Sequence, residues 1–161
     1  MRMNVEYINP FIESVNELFS TMLGAKVDRG KIGVSSGANN PRDIMAIIGL
    51  SGPARGTVAL SFPTNTALNL VNKMLGLETR IVDEMVSDGV AELVNIVAGG
   101  AKAKLVTDGG TPLDLSLPTV LRGNDFTVDY PSNSVWLEVP FASDLGPFCL
   151  RVTFESDIRA N

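Results

Sequence analysis

The chain of 161 residues contains no histidine. That absence removes the commonest general base, the commonest metal ligand and every Ser-His or Cys-His nucleophilic arrangement, so any chemistry must rest on carboxylates, amides, hydroxyls or amines. Cysteine is nearly absent too: Cys149 stands alone in a strand-like run. Neither an internal disulfide nor a multi-cysteine zinc site can form, and a buried, inert thiol is the expectation. No apolar run approaches the roughly 20 residues that cross a bilayer, and the opening Met1-Arg2-Met3-Asn4-Val5-Glu6 lacks the apolar stretch of a secretory signal. A cytoplasmic location with no membrane partner is expected. Basic residues are few and dispersed, 13 Lys and Arg against 18 Asp and Glu for a net charge of −5. With no Lys/Arg tract and no aromatic-basic interleaving, the composition argues against nucleic acid and anionic membrane as partners. The glycines from Gly49 to Gly56 lack the Gly-Lys-Ser/Thr of a phosphate-binding loop, so nucleotide binding finds no support.

What is present suits one compact domain over residues 1–161, with 45% hydrophobic and 19% charged residues. Asn9-Pro10 reads as an N-cap followed by proline at the first helical position, and Phe11, Val15, Leu18, Phe19, Met22 and Leu23 recur at helical spacing up to Gly24. Ala25 to Val34 is β-compatible, and residues 35–41 are a loop by their chemistry. Two apolar runs, Asp43 to Ser51 and Thr57 to Phe62, read as a hairpin of central strands joined by Gly52-Pro53-Ala54-Arg55-Gly56. Pro63-Thr64 should end the second strand and cap a helix over 64–75, closed by Gly76. After a connector comes a long helix, Asp83 to Val106, with acids at its start, Lys102 and Lys104 near its end, and Gly109-Gly110 as its stop. The remainder is β-like: Leu113 to Leu117, a strand end at Pro118, then Phe126 to Tyr130, Ser134 to Phe141 with Trp136 read as core, and Phe148 to Phe154. The expected fold is α+β, a mainly antiparallel sheet with helices packed on it.

The long helix carries the most informative feature, Glu92-Leu93-Val94-Asn95. At about 100° per residue the acid and the amide lie roughly 60° apart, whereas Val86, Val90, Leu93, Val94, Val97 and Ala101 gather on the opposite side. One face holds the fold and the other is free to present two polar side chains to another molecule. Asp88 and Gly99 share that free face. Asp88 is either a partner contact or a solvated acid, and Ile96 and Met85, at its margin, are either exposed anchors or cover for the core. A metal site from Asp83, Glu84, Asp88 and Glu92 is disfavoured, because carboxylates spread over three turns of one helix do not converge on one ion.

Asp83-Glu84 opening the helix, then Glu92-x-x-Asn95-Ile96-Val97-Ala98-Gly99-Gly100, then Leu115-Ser116-Leu117-Pro118-Thr119-Val120-x-x-Gly123, together resemble the CheX branch of the CheC/CheX/FliY chemotaxis phosphatases. The likeness covers nearly the whole chain. It implies an enzyme that removes the phosphoryl group from the phospho-aspartate of a CheY-type response regulator, with no cofactor of its own and with Mg2+ bound by the partner receiver. It assigns Glu92 to pairing with a lysine in the receiver's active site and Asn95 to orienting the attacking water. CheC members carry two such helices. Here Glu13-Ser14-Val15-Asn16 on the first helix lacks the following Ala-Gly, and a single motif fits the CheX type, whose members look like homodimers joined through sheet edges.

The two side chains suit that chemistry. Acyl phosphate hydrolysis needs a water placed in line with the leaving carboxylate, the phosphoryl charge being already neutralised by the receiver's metal and basic residue. A carboxamide can accept a hydrogen bond from that water and donate to a phosphoryl oxygen without any protonation step. Glu92 on an exposed helix is a poor base for water at neutral pH, so docking is its expected role. The alternative from a different class is a non-catalytic adaptor of the same fold that docks a receiver or a flagellar-switch component.

Overall fold

The computed structural model describes residues 5–36, 43–52, 55–106, 113–123 and 135–154. The chain enters through a 3-10 turn, Val5–Ile8, and runs directly into α1, Asn9–Leu18, with Pro10 in the first turn, where its missing N–H is no loss. Asn9 is therefore the first helical residue and not the cap expected from the sequence. The last turn widens to a π-helix over Phe19–Leu23. The Ser20 and Thr21 hydroxyls both donate to the Glu17 carbonyl, at 3.3 and 2.6 Å, and compete there with the backbone ladder. Gly24, at φ 57°, closes the helix, and Gly76, at φ 68°, closes α2, Thr64–Leu75, whose bounds match those read from the sequence. Its cap does not: the Thr64 N–H and hydroxyl donate to the Asp43 carboxylate at 2.8 and 2.9 Å, so an acid some twenty residues upstream satisfies the helix start. The third helix, α3, spans Glu84–Val106.

The strands are β1 Val27–Arg29, β2 Gly33–Ser36, β3 Ile44–Ser51, β4 Gly56–Phe62, β5 Asp114–Leu115, β6 Thr119–Arg122, β7 Val135–Ser143 and β8 Phe148–Phe154. They form one antiparallel sheet in the order β1-β7-β8-β4-β3-β5, with β2 also on β7 and β6 also on β3. Each edge of the sheet thus consists of two short strands in tandem. The single strand expected over Ala25 to Val34 is broken at Gly30, whose N–H reaches the Pro140 carbonyl at 2.6 Å and whose Cβ position lies 2.9 Å from the Pro140 ring. The strand expected from Leu113 to Leu117 shortens to two residues because Ser116 leaves the ladder and clasps Gly49, its hydroxyl accepting from the Gly49 N–H at 2.8 Å and its own N–H donating to the Gly49 carbonyl at 3.0 Å. Strand β6 was not legible in the sequence. The segments expected at Phe126 to Tyr130 and Gly109-Gly110 lie outside the described residues.

All three helices lie on one face of the sheet, where Ile44, Ile48, Val58, Leu60, Leu150 and Val152 join the helix stripes in one core cluster. Each fully buried Val, Leu, Ile or Phe there contributes about 1.5–3 kcal/mol. Phe148 ties the end of α1 to the sheet, stacked between Phe19 (5.6 Å) and Phe141 (5.0 Å). On the opposite face Trp136 is buried, as expected of core, and Arg151 holds Glu138 at 2.9 Å. No helix among the described residues is long and apolar enough to cross a membrane.

Candidate functional site

Helix α3 starts cleanly because Asp83 caps it: the Val86 N–H donates to Asp83 Oδ1 at 3.0 Å, and Glu84 adds negative charge at the positive end. Its buried stripe is the one read from the sequence, with Val86, Val90, Leu93, Val94, Val97 and Ala101 all at 0–1% exposure. Glu92 is consequently exposed and Asn95 half-exposed on the far side, one turn apart. Among the described residues no side chain hydrogen-bonds or pairs with either. Asp88 is exposed beside them. Met85 is 53% exposed, whereas Ile96 packs against the core, which decides the two residues differently.

The two glycines after the motif differ in kind. Beyond the helix's own adjoining backbone, a Cβ at Gly99 would meet nothing within 4 Å, so no neighbour among the described residues demands a glycine there, although one in a helix interior costs about 1 kcal/mol relative to alanine. Gly100 faces inward onto Ser14 of α1. The Ser14 hydroxyl donates to the Ile96 carbonyl at 3.4 Å. Farther along, Lys104 Nζ lies 2.6 Å from Glu17 Oε1 and 3.7 Å from Glu13 Oε2, and the hydrogen bond to Glu17 raises the lysine's pKa. Glu13 of the first-helix Glu13-x-x-Asn16 is thus shared with a lysine. At the other end, Arg122 Nη1 donates to the Val82 carbonyl at 2.9 Å, tying the strand that follows Leu117-Pro118-Thr119 to the approach of α3. Ser14 and Arg122 support the motif helix without any local sign of it, since their partners are distant in the chain.

The site is a surface, not a pocket. A groove of about 450 Å³ lies between α2 and the connector, lined by Asn65, Asn69, Asn72, Thr79 and Arg80, and one of about 370 Å³ borders Asp43, Val82 and Arg122; neither includes Glu92 or Asn95. Among the described residues no three His, Cys, Asp or Glu side chains converge as metal ligands would. Cys149 is half-buried, its thiol pushed up in pKa by burial, and lies on the sheet, not near the motif.

A sequence profile described as chemotaxis phosphatase CheX matches residues 44–142, which include α3 and β6. The chain belongs to the CheX family of chemotaxis phosphatases. The CheY-P phosphatase CheX of Thermotoga maritima is 32% identical over 141 residues, 87% of this chain and 89% of that protein. The crystal structure of a CheC-like superfamily protein from Shewanella sp. PV-4 is 34% identical and superposes with a TM-score of 0.84 over 96% of this chain and 100% of that one. The fold is shared as well by a structure of a CheX-CheY-BeF3-Mg2+ complex from Borrelia burgdorferi, at 24% identity and a TM-score of 0.79, covering 95% of this chain and 100% of that one. The CheX fold expected from the sequence, an antiparallel sheet with helices on it, is the one observed.

Proposed function

We propose that this chain, acting as one phosphatase domain in the cytoplasm, hydrolyses the aspartyl phosphate of a CheY-type receiver. Asn95 orients the attacking water and Glu92 docks to the receiver. The observation that carries the reading is a carboxamide and a carboxylate, one turn apart, without partners among the described residues, on the wet side of a helix held before its start by Arg122, at mid-length by Ser14 and near its end by the Lys104–Glu17 pair. The receiver contributes Mg2+ and the basic residue that neutralise the phosphoryl oxygens, and Asn95 adds a fixed acceptor for water and a donor for oxygen, with no proton to gain or lose. Glu92 pairs with a receiver lysine that becomes desolvated on docking. Gly99, open on the same face, lets the receiver's backbone come close.

In this reading the protein works as a homodimer joined through a sheet edge. The β5–β6 edge offers Leu117, 89% exposed, as an apolar contact. Light scattering at micromolar concentration tests this, and a monomer removes it.

Intact Glu92 and Asn95 favour turnover over docking alone. The deciding experiment mixes the purified chain with a phosphorylated CheY-type receiver and follows phosphate release. Wild type should accelerate release and Asn95→Ala should lose the acceleration while still binding. Equal rates for wild type and Asn95→Ala would refute the catalytic role, and binding with no acceleration by wild type would leave an adaptor.

A further inference from the structure

Helix α3 is gripped on both flanks of the Glu92/Asn95 pair at positions where a neighbour leaves no room for a side chain. At Gly89 a Cβ would stand 2.6 Å from Val71 Cγ1 and 2.8 Å from Val71 Cγ2, on α2. At Gly100 a Cβ would overlap Ser14 Oγ and stand 3.2 Å from Ser14 Cβ, on α1. Ser14 is only 3% exposed, and its hydroxyl donates at 3.4 Å to the carbonyl of Ile96, the residue next to Asn95. One turn beyond Gly100, Lys104 is held by Glu17 at 2.6 Å. Helix α1 therefore touches α3 at a carbonyl beside Asn95, at a glycine and at an ion pair, and points of contact so distributed fix both the axial position and the rotation of a helix.

We propose that Ser14 and Gly100 form a positioning contact for the phosphatase reaction, setting where the Asn95 carboxamide stands relative to the phosphoryl group of a docked receiver. The inference rests on the reading of Asn95 given above. Water, carboxamide and phosphorus must align within a fraction of an ångström, whereas a charge pair weakens only inversely with distance. A shift of α3 on the order of 1 Å should therefore reduce the chemical step roughly tenfold to a hundredfold while docking through Glu92 is largely retained.

The test uses the full chain and a phosphorylated receiver, with rates measured at saturating and subsaturating receiver and normalised to folded protein by circular dichroism. Gly100→Ala should lower kcat roughly tenfold or more with KM within about twofold. Ser14→Ala, which adds no atoms and removes only the hydroxyl, should lower kcat a few-fold. The double variant Gly100→Ala/Ser14→Gly, which moves the bulk from α1 to α3, should recover kcat to the level of Ser14→Ala. A contact that merely holds the fold behaves differently: the melting temperature of Gly100→Ala drops but each folded molecule turns over at the wild-type rate, and that result overturns the proposal. So does a double variant that regains wild-type melting while its kcat stays at the level of Gly100→Ala. Wild type and Asn95→Ala run alongside separate the two ideas. If these two are equally fast, the role of Asn95 is lost; if wild type outpaces Asn95→Ala and Gly100→Ala keeps pace with wild type, only the positioning role is.

Discussion

Gly99 allows the stability of the helix to be set against its use. It lies inside the 23-residue helix α3, and beyond the helix's own adjoining backbone a methyl group added there would meet no atom of the described residues within 4 Å. Replacing a helix-interior glycine with alanine restricts the unfolded chain and stabilises the folded one by about 1 kcal/mol, or about 3 °C in melting temperature for a chain of this size. If the open space instead serves the approach of a receiver's backbone, a larger side chain there must overpack the docked interface. Overpacking costs about 1–3 kcal/mol, so Gly99→Leu should raise KM roughly fivefold to a hundredfold. The pair of variants thus sets stability and function in opposition: Gly99→Ala melts higher than wild type, and Gly99→Leu, no less stable than wild type, is a markedly poorer phosphatase at low receiver concentration. Thermal unfolding by circular dichroism and receiver dephosphorylation over a range of receiver concentrations give both quantities. A Gly99→Leu protein with unchanged KM would show that the receiver does not come onto this face, and a Gly99→Ala protein that melts lower than wild type would show that the glycine has a partner within the fold after all.

Glu92→Ala should weaken docking by about 2–5 kcal/mol, seen as a raised KM with kcat at saturation little changed; loss confined to kcat would contradict the docking role. Asn95→Asp should fail as completely as Asn95→Ala, because a carboxylate beside the phosphoryl group is repelled by it, and rescue by Asp would contradict a positioning carboxamide. Asp43→Ala removes the acceptor of the Thr64 N–H and should lower stability by about 0.5–2 kcal/mol in thermal melts, without altering the turnover of folded enzyme. Cys149 should react slowly with thiol reagents in the native protein and rapidly in denaturant, since burial holds its thiol above the ordinary pKa; reaction at the free-cysteine rate in native protein would contradict that. Because the folded state keeps that proton longer, this thiol's contribution to stability is whole at neutral pH and declines as pH climbs past the ordinary thiol range.

Elements whose signals are local were legible from sequence. Helix α2 has a proline-threonine start, an apolar stripe and a glycine stop within its own residues, and its bounds agree with the structure. The α3 stripe agrees residue by residue, so periodicity placed Glu92 and Asn95 on the outward side of the helix, while the roles expected of them came from the family resemblance. What failed depended on partners far along the chain. Asp43 caps a helix from the start of β3, Gly30 breaks a strand because of Pro140, and Ser116 exchanges a ladder position for a clasp on Gly49. Strand β6 is apolar at only two positions and pairs with β3 across more than seventy residues, so neither its pattern nor its length signalled a strand. The same limit hid Ser14 and Arg122, whose importance lies wholly in what they touch.

If Glu92 and Asn95 are the working pair, their place on the outer side of α3, outside both grooves, has a consequence for how the catalyst could be blocked or misused. On that reading half of the reaction chamber belongs to the receiver, and small acyl phosphates free in the cell should pass unhydrolysed. A competitor would then have to be the size of a receiver, or imitate the receiver's own surface, and small-molecule screening against the isolated chain would be aimed at a cavity that forms only in the encounter.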